Sequence, residues 1–541
     1  MTTLTRLKLL AIPALLALVG AGMALKMFPL YSGGGIYNSD PSYAYLFNGL
    51  LILAQQAPHH IDHPGTPLQT LIALLVYLQW VFVKLFNTVN ADVLVAVMTE
   101  PERYLLFISR VLLALNALAL FFLGKKIYQS TKSLFFAMFC QCSLLTYGVF
   151  GTKLLYPAPE ALVASLSLCM LAVLAPIIFQ SPLAEKEQKK ITLLAGVIFG
   201  LGFAVKLTFF PMVGLLLLLN TWRQVALAGL AAVFAWLVGI LPMITKLPAL
   251  FNWASNMFTH TGKYGSGGKG LIDYSQIAGN LDGLLKAFPF FYLAATIIAI
   301  YLVIYVGKLA VHNNNLKGNN TETSFVMSHR QTFKISAVLF GVCVVQTLIV
   351  LKHFGQHYMI SVLPIAFVGL AVIAKRCCEN SRLFAIVLKS VLAITTALLI
   401  VVSNKAAFAI LKAERLQHNR AVNGVLSELA RHPNPLVIGS YGCYLPQCGL
   451  LFGIEYAPAI DKKMGPLLAN FYGFNVWNNM LLIDGHGFYP LSMLETFFAQ
   501  SRPVFLLAQL DFPAFEFFKK ELVFQVEDQK LYKITGLATP K

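Results

Sequence analysis

Long apolar stretches recur along most of this chain, and short polar loops separate them. Most stretches hold about 18 to 25 residues, enough to cross a hydrocarbon core of about 30 Å as a helix. The pattern stops after Ser403. We therefore predict a polytopic α-helical membrane protein with about eleven transmembrane helices, near residues 9–28, 104–123, 133–150, 160–180, 191–205, 209–221, 225–245, 287–306, 335–351, 358–374 and 383–402.

The composition agrees with this pattern, because 57% of the 541 residues are hydrophobic and only 12% are charged. Soluble globular proteins carry about 25% charged residues. The formal net charge of +18 is high, but Lys and Arg occur in short blocks between the spans and not on one face of a soluble domain. We therefore expect membrane lipids and no nucleic acid as partners, and the basic blocks indicate the orientation of the spans.

The basic blocks also decide how the apolar segment 68–86 is placed, since its length would allow it to span. If it does not cross, basic loops such as 125–132 and 186–190 share a side with the basic N-terminus, as the positive-inside rule requires. If it crosses, they all move to the other side. We therefore predict that 68–86 and the shorter 43–53 are interfacial helices within a first outer loop, 29–103. The first span is interpreted as retained rather than as a cleaved signal peptide.

The end of the apolar pattern divides the chain into a transmembrane domain, 1–402, and a C-terminal domain, 403–541. Because the number of predicted spans is odd, the C-terminal domain lies on the side opposite the N-terminus, the outer side of the membrane. Short apolar runs such as LVIGSY and PVFLLAQ alternate there with helical stretches, which indicates a small extramembrane α/β domain. Cys443 and Cys448 stand in YGCYLPQC, a spacing that suits a disulfide if the domain faces an oxidising compartment. We expect a bacterial inner (plasma) membrane with this domain in the periplasm, and the endoplasmic reticulum is the alternative.

The first outer loop holds a concentrated set of polar, acidic and histidine residues. Asp40, in NSDP, fits a helix N-cap, because Pro follows it at the first helical position. A carboxylate fixed at the membrane surface by a helix start is also well placed to accept a proton from an acceptor hydroxyl. The two roles are compatible, so Asp40 is both a structural and a catalytic candidate.

The cluster HHIDHP contains His59, His60, Asp62 and His63. A metal site would need a helix that places His59 and His63 on one face, but the flanking prolines disfavour one. We therefore predict no metal ion. Hydrogen bonding to sugar hydroxyls or to a phosphate is the preferred function, and a simple interfacial turn is the alternative.

Several charged residues stand at the predicted outer ends of spans. Glu160 heads a span, where it would complement the helix N-terminus or, facing the bundle interior, take part in function. Outward Lys and Arg side chains oppose the positive-inside bias, and they suit either snorkelling to the interface or binding of an anionic lipid head group. These residues are Lys153 in TKLLYPAPE, Arg110 about two turns into its span, Lys206 in a short hairpin, and Lys352 in LKHFGQHYM, which also contains His357 and Tyr358.

These pieces together resemble the GT-C superfamily of membrane glycosyltransferases, in the branch of the protein O-mannosyltransferases and lipid A aminoarabinose transferases. The matching features are the first-loop acid Asp40, the His63-Pro64 motif that opens an interfacial helix, Arg110 at the start of the next span, Glu160, and the C-terminal extramembrane domain. Two short motifs depart from the family pattern, since Asp-Pro replaces Asp-Glu and HPG replaces HPP.

The resemblance implies an inverting glycosyltransferase that uses a sugar on a polyprenyl phosphate and needs no cofactor. It makes Asp40 the expected base, with Glu160 a second acidic participant and Asp62 an alternative base. The acceptor would be a lipid, a glycan or a protein on the outer side of the membrane. The candidate substrate-binding residues are His59, His63, Arg110, Lys153, Lys206, Lys352, His357 and Tyr358.

The implied reaction requires mainly positioning. A base removes the acceptor proton, the acceptor oxygen attacks the anomeric carbon opposite the lipid phosphate, and cations stabilise the leaving phosphate. The alternative from another class is a multi-span transporter or flippase of a lipid-linked substrate, which would be expected to show broken helices at midplane and related halves. A scaffold subunit that keeps the fold without the chemistry is a third possibility.

Overall fold

The structure is a computed structural model. It describes residues 2–27, 39–61, 65–87, 92–148, 153, 156–180, 183–261, 267–270, 274–315, 323–379, 381–440, 443–457, 468, 470–476, 478–483, 488–509 and 511–538.

Helices dominate the described residues. Ten segments are long and apolar enough to cross a membrane, and they begin at Thr3, Thr66, Pro101, Pro159, Glu185, Trp222, Pro289, His329, Gln356 and Arg382. The α-helices are α1 (Thr3–Met27), α2 (Ala44–Leu53), α3 (Thr66–Asn87), α4 (Val93–Thr99), α5 (Pro101–Thr131), α6 (Leu134–Gln141), α7 (Pro159–Phe179), α8 (Glu185–Val205), α9 (Trp222–Ile240), α10 (Leu247–Thr259), α11 (Tyr274–Ala287), α12 (Pro289–Asn315), α13 (Thr323–Lys352), α14 (Leu363–Cys378), α15 (Arg382–Leu429), α16 (Pro446–Glu455) and α17 (Leu494–Ala499).

The predicted polytopic helical fold is confirmed, and two of the predicted spans are short. Leu134–Leu144 and Leu207–Leu218 are apolar helical segments of 10–17 residues. The second is a continuous 3-10 segment of 12 residues that contains Pro211, which is long for this geometry. Conversely, Thr66–Phe86 is long enough to span, so its interfacial placement, which rests on the distribution of charge, stays a prediction.

The described residues of the C-terminal domain form seven strands, which are β1 (Leu436–Ser440), β2 (Phe471–Asn475), β3 (Met480–Leu482), β4 (Phe488–Pro490), β5 (Val504–Ala508), β6 (Phe518–Val526) and β7 (Gln529–Leu537). They make one mixed sheet in the order β4-β3-β2-β1-β5-β7-β6. Its centre is parallel, with Ile438 of β1 opposite Tyr472 of β2 and Leu506 of β5. Every residue of β1 and β5 is buried, which matches their continuous apolar sequences. The predicted α/β domain is thereby confirmed.

One long helix connects the bundle to this domain. The 48 residues of α15 continue unbroken across the predicted boundary at residue 402, and its Gly424 lies against the ring of Phe524 in β6. A second junction is formed by α16, which packs against α2. Cys443 and Cys448 form a disulfide just before and inside α16. The first loop and the C-terminal domain therefore lie at the same end of the helix bundle.

Candidate active site

A buried ion pair lies at the end of the bundle that carries the first loop. Glu160 stands in the first turn of α7 after Pro159, and Lys206 directly follows α8. The Lys206 Nζ atom donates a hydrogen bond to Glu160 Oε1, and the two residues are only 4% and 5% exposed. Since charges persist in a protein interior only when they are paired, each of these side chains requires the other.

His357 and Tyr358, in the 3-10 segment that precedes α14, complete this cluster. The His357 Nε2 atom lies 3.7 Å from Glu160 Oε1, and the His357 side chain is 31% exposed. The Lys206 ammonium lies 4.6 Å from the centre of the Tyr358 ring, close enough for a cation–π interaction. Gln346 of α13 donates to the Tyr358 carbonyl over 2.7 Å. The pair is thus enclosed on one side by an aromatic ring and reached on another by a partly exposed imidazole.

Further polar groups extend from the pair toward α15. Lys153 interacts electrostatically with both Glu160 and Glu414 of α15. Burial, followed by the carboxylate of Glu414, raises the pKa of Tyr156 to about 12. Tyr156 therefore remains a neutral hydrogen-bonding phenol at physiological pH.

The histidine turn, residues 59–61 of the first loop, is fixed by side chains from the helices on both sides of it. Asn48 of α2 accepts through Oδ1 from the backbone amides of His59 and His60, at 2.7 Å and 3.0 Å. Gln69 of α3 donates to the His60 carbonyl over 2.9 Å. Burial, with a further contribution from the charge of Lys206, lowers the pKa of His60 to about 4. His60 is therefore a neutral, structural residue close to the ion pair.

Gly65, the glycine of the HPG motif, connects the loop to the ion pair. Its φ of +66° is left-handed, and a Cβ there would lie 2.6 Å from the Tyr45 ring. Its amide donates to the carbonyl of Val205, the residue before Lys206, over 3.1 Å. A proline has φ near −65° and no amide hydrogen. The departure from HPP thus has a physical reason, since the backbone here requires glycine.

The predicted catalytic acids differ in how the structure places them. Asp40 lies in the π-helical turn Ser39–Tyr43 directly before α2. The N-cap residue of α2 is Tyr43 and not Asp40, so the predicted helix start at Pro41 is a π turn. Glu160 lies in the buried cluster. Asp62 and His63 lie outside the described residues.

Among the predicted substrate-binding residues, Lys206, His357, Tyr358 and Lys153 belong to the Glu160 cluster. His59 is exposed on the histidine turn.

Arg110 and Lys352 have other surroundings. Arg110 is exposed on α5. Lys352 donates to the carbonyl of Phe258 over 2.7 Å at the C-terminal end of α10, where a cation stabilises the free carbonyl groups.

Sequence reasoning did not find Asn48 and Gln69, which hold the histidine turn and are fully buried. Each is an amide within a largely apolar helix. A buried amide must form hydrogen bonds. An amide in an apolar helix is therefore a sequence signal of a buried hydrogen bond, but it does not identify the residue at the other end.

Comparisons with known proteins bear on the fold. No family model matches the chain, and no match was found among curated proteins. Among solved structures, the chain is similar to ArnT from Cupriavidus metallidurans bound to undecaprenyl phosphate, with a TM-score of 0.51, 12% sequence identity, and coverage of 97% of this chain and 99% of that one. The apo state of the same ArnT gives a TM-score of 0.49 at 12% identity, with 97% and 98% coverage.

ArnT is a lipid A aminoarabinose transferase with the GT-C fold. The similarity over nearly the whole of both chains confirms the resemblance inferred from sequence at the level of the fold. Together with the ten apolar helices, it identifies a multi-pass membrane protein with a GT-C-like fold.

Proposed function

We propose that this protein transfers a sugar from a polyprenyl-phosphate donor to a lipid, glycan or protein acceptor, with inversion at the anomeric carbon. The observation that carries the proposal is the buried Glu160–Lys206 pair beneath the first loop, in a chain with the fold of a protein whose structure holds undecaprenyl phosphate. The reaction would take place at the outer face of a bacterial inner membrane, the side to which the charge pattern assigns this end of the bundle.

Lys206 is the proposed cation for the donor phosphate. Its ammonium group has three donor hydrogens, and Glu160 takes one of them. Glu160 compensates the charge of Lys206 and orients its side chain before the donor binds, since an unpaired buried ammonium would be costly. His357, which is 31% exposed, can add a second donor to the same phosphate from the solvent side.

Asp40 is the proposed base. It would accept the proton from the acceptor hydroxyl as the acceptor oxygen forms its bond to the anomeric carbon and the bond from that carbon to the phosphate oxygen breaks. The polyprenyl phosphate leaves with the bonding electrons, and Lys206 stabilises its additional charge. The bond from Gly65 to Val205 supports this arrangement, because it attaches the first loop one residue from Lys206.

The proposed position of the donor chain is a groove between α12 and α13. Its volume is 490 Å³, and apolar side chains such as Phe291, Ala299 and Leu348 line it. Helix α13 contributes to both regions, because its Thr347 lines the groove and its Gln346 donates a hydrogen bond to the carbonyl of Tyr358. A polyprenyl chain is an occupant that fits an apolar groove of this kind.

Transfer of radiolabelled sugar from polyprenyl-phosphate donors to a membrane extract tests the function, with Asp40→Asn as the variant and Asp282→Asn as the control. We expect Asp40→Asn to lower turnover about 10²- to 10⁴-fold, the usual contribution of a general base, with the melting temperature unchanged. Asp282 only pairs with Lys286 on the exposed surface of α11, so its variant should be as active as the unmodified protein.

Full activity of Asp40→Asn would move the base to another carboxylate, such as Asp62. Absence of transfer from every donor tried, by the unmodified protein, would overturn the enzymatic function and favour a transporter of lipid-linked substrates.

A further inference from the structure

We propose that α16 of the C-terminal domain is a positioning element of the active site, which holds the Asp40 segment in place and depends on the Cys443–Cys448 disulfide. The inference rests on the proposed function, since it assigns a role to a contact with the helix that follows the proposed base. It makes Tyr43, Gly449 and Gly453 positioning residues, none of which touches substrate.

Two glycines of α16 receive two aromatic rings of the first loop. A Cβ on Gly449 would lie 2.8 Å from the Tyr43 ring, and a Cβ on Gly453 would lie 2.6 Å from the Phe47 ring. Real Cβ atoms do not approach other atoms so closely, so only glycine fits at both positions. Residues four apart share one face of a helix. Gly449 and Gly453 therefore lie on one face of α16, and they contact Tyr43 and Phe47, which are also four residues apart.

These contacts fix the segment directly at the candidate base. Tyr43 and Phe47 are 1% and 0% exposed, and Tyr43 is the last residue of the turn that begins Ser39-Asp40. A rotation or slide of this segment would drive a ring into the backbone of α16. The position of Asp40 relative to the bundle is consequently set in part by the C-terminal domain.

The same element also contacts the histidine turn. The ring of His60 lies between Tyr45, at 5.0 Å, and Tyr456, at 4.9 Å, with edge-to-face geometry on both sides. Tyr456 directly follows α16. The domain therefore contacts both ends of the described stretch 39–61, the turn with Asp40 and the turn with His60.

The position of α16 is itself fixed to the sheet of its domain. On another face of the helix, Leu451 packs against Gly473 of β2, and Glu455 accepts a hydrogen bond from Asn475 of β2 over 2.6 Å. Before the helix, the Tyr444 hydroxyl donates to Asp528 over 2.7 Å. The disulfide closes this entry segment between Cys443 and Cys448, so its reduction would free the start of α16.

The positioning role predicts a specific kinetic effect. Gly449 and Gly453 contact the Asp40 segment and not the Glu160–Lys206 pair. Gly453→Val should therefore lower kcat at least about tenfold, because a displacement of about 1 Å at a reacting group can cost about a hundredfold, while the KM for the lipid donor changes less than about twofold. The control is Gly536→Val in β7, where a Cβ would meet only Lys519, at 3.7 Å.

A second variant separates positioning from general destabilisation. Phe47→Ala combined with Gly453→Val removes the ring that the new side chain would strike, and it should recover most of the lost kcat. The disulfide is tested by Cys443→Ser with Cys448→Ser and by a reductant, which has this one disulfide to act on because the other six cysteines are free thiols. Both treatments should lower kcat with the KM for the donor unchanged.

Hydrogen exchange of residues 39–60 supplies a readout that does not depend on turnover. We expect faster exchange there in Gly453→Val and in the reduced protein, and unchanged exchange in Gly536→Val. Unchanged exchange and unchanged kcat in Gly453→Val would overturn the positioning role, as would failure of Phe47→Ala to restore kcat. If the unmodified protein shows no transfer, the proposed function fails, and hydrogen exchange alone still decides whether α16 holds the loop.

Discussion

The bundle-end cluster and the first loop are built in opposite ways. Glu160 and Lys206 are 46 positions apart, and the ends of rigid spans bring them together. The Asp40-to-His63 stretch is contiguous in sequence, but its described part is held by groups outside it, such as Gln69 and Tyr456. In the proposed site, the donor phosphate binds at the rigid Glu160–Lys206 cluster. The acceptor binds near the first loop, which the C-terminal domain positions.

The difference matters because the two regions should respond differently to mutation. A buried pair cannot lose one member without leaving an uncompensated charge in the interior. A loop fixed by backbone hydrogen bonds and ring packing loses position before it loses stability. Variants at the cluster should therefore affect both stability and turnover, whereas variants at the loop should affect turnover first.

The largest expected effect comes from breaking the ion pair. Lys206→Met leaves the Glu160 carboxylate buried without its partner, and such a loss costs about 3–5 kcal/mol of stability. We expect a melting temperature in detergent lower by several degrees and loss of sugar transfer. Thermal unfolding and the transfer assay, run on the same preparation, measure the two effects.

A double variant separates the two effects. Lys206→Met with Glu160→Gln removes both charges and should recover much of the melting temperature without recovering transfer. Lys352→Met is the matched control, since Lys352 bonds to a backbone carbonyl at the end of α10 and a typical hydrogen bond is worth about 1 kcal/mol. Transfer by the double variant at the unmodified rate would exclude Lys206 as the phosphate cation.

The fold was largely predictable from sequence, whereas the arrangement of the site was only partly so. Span lengths and the alternation of apolar runs identify the bundle and the α/β domain, because burial in lipid or in a sheet imposes a local pattern. Glu160 and Lys206 each became a candidate because a charged residue at the outer end of a predicted span is unusual. Their pairing follows from helix packing, which no local pattern of the chain encodes.

Lys352 and Gly65 show the same limit at single residues. An outward lysine near a span end fits an anion site and a helix C-terminus equally well in sequence, and the structure places Lys352 at the carbonyls of α10. Gly65 looked like a loss of the HPP motif, but its left-handed φ and its contact with Tyr45 require glycine. Both outcomes depend on residues distant in sequence.

A smaller effect is expected in the loop when pH falls. His60 is buried with its pKa lowered to about 4, whereas an unfolded histidine titrates near 6.5. The unfolded state therefore binds more protons at this group between these values. The contribution of His60 to stability is thus constant above about pH 6.5 and decreases as pH falls toward 4. The total loss is about 3 kcal/mol at most.

Melting temperatures at pH 7 and pH 5 measure this loss, with His60→Phe as the variant. Phenylalanine keeps a ring between Tyr45 and Tyr456 and has no proton to bind, so its melting temperature should fall less between the two pH values. His260→Phe is the control on a half-exposed histidine. An identical pH dependence in His60→Phe and the unmodified protein would show that other groups govern acid stability.

The smallest effect concerns the apolar groove proposed to hold the donor chain. Ala299→Phe fills part of the groove between α12 and α13, whereas Leu293→Phe is its control on an exposed position of the same helix. Exclusion of roughly 50 Å² of polyprenyl chain would cost about 1 kcal/mol, or about a fivefold increase in KM for a long-chain donor. A donor with only two isoprene units would bury less apolar surface in the groove, so its KM should change less. Equal effects of Ala299→Phe on the KM values of long and short donors would show that the donor chain binds outside this groove.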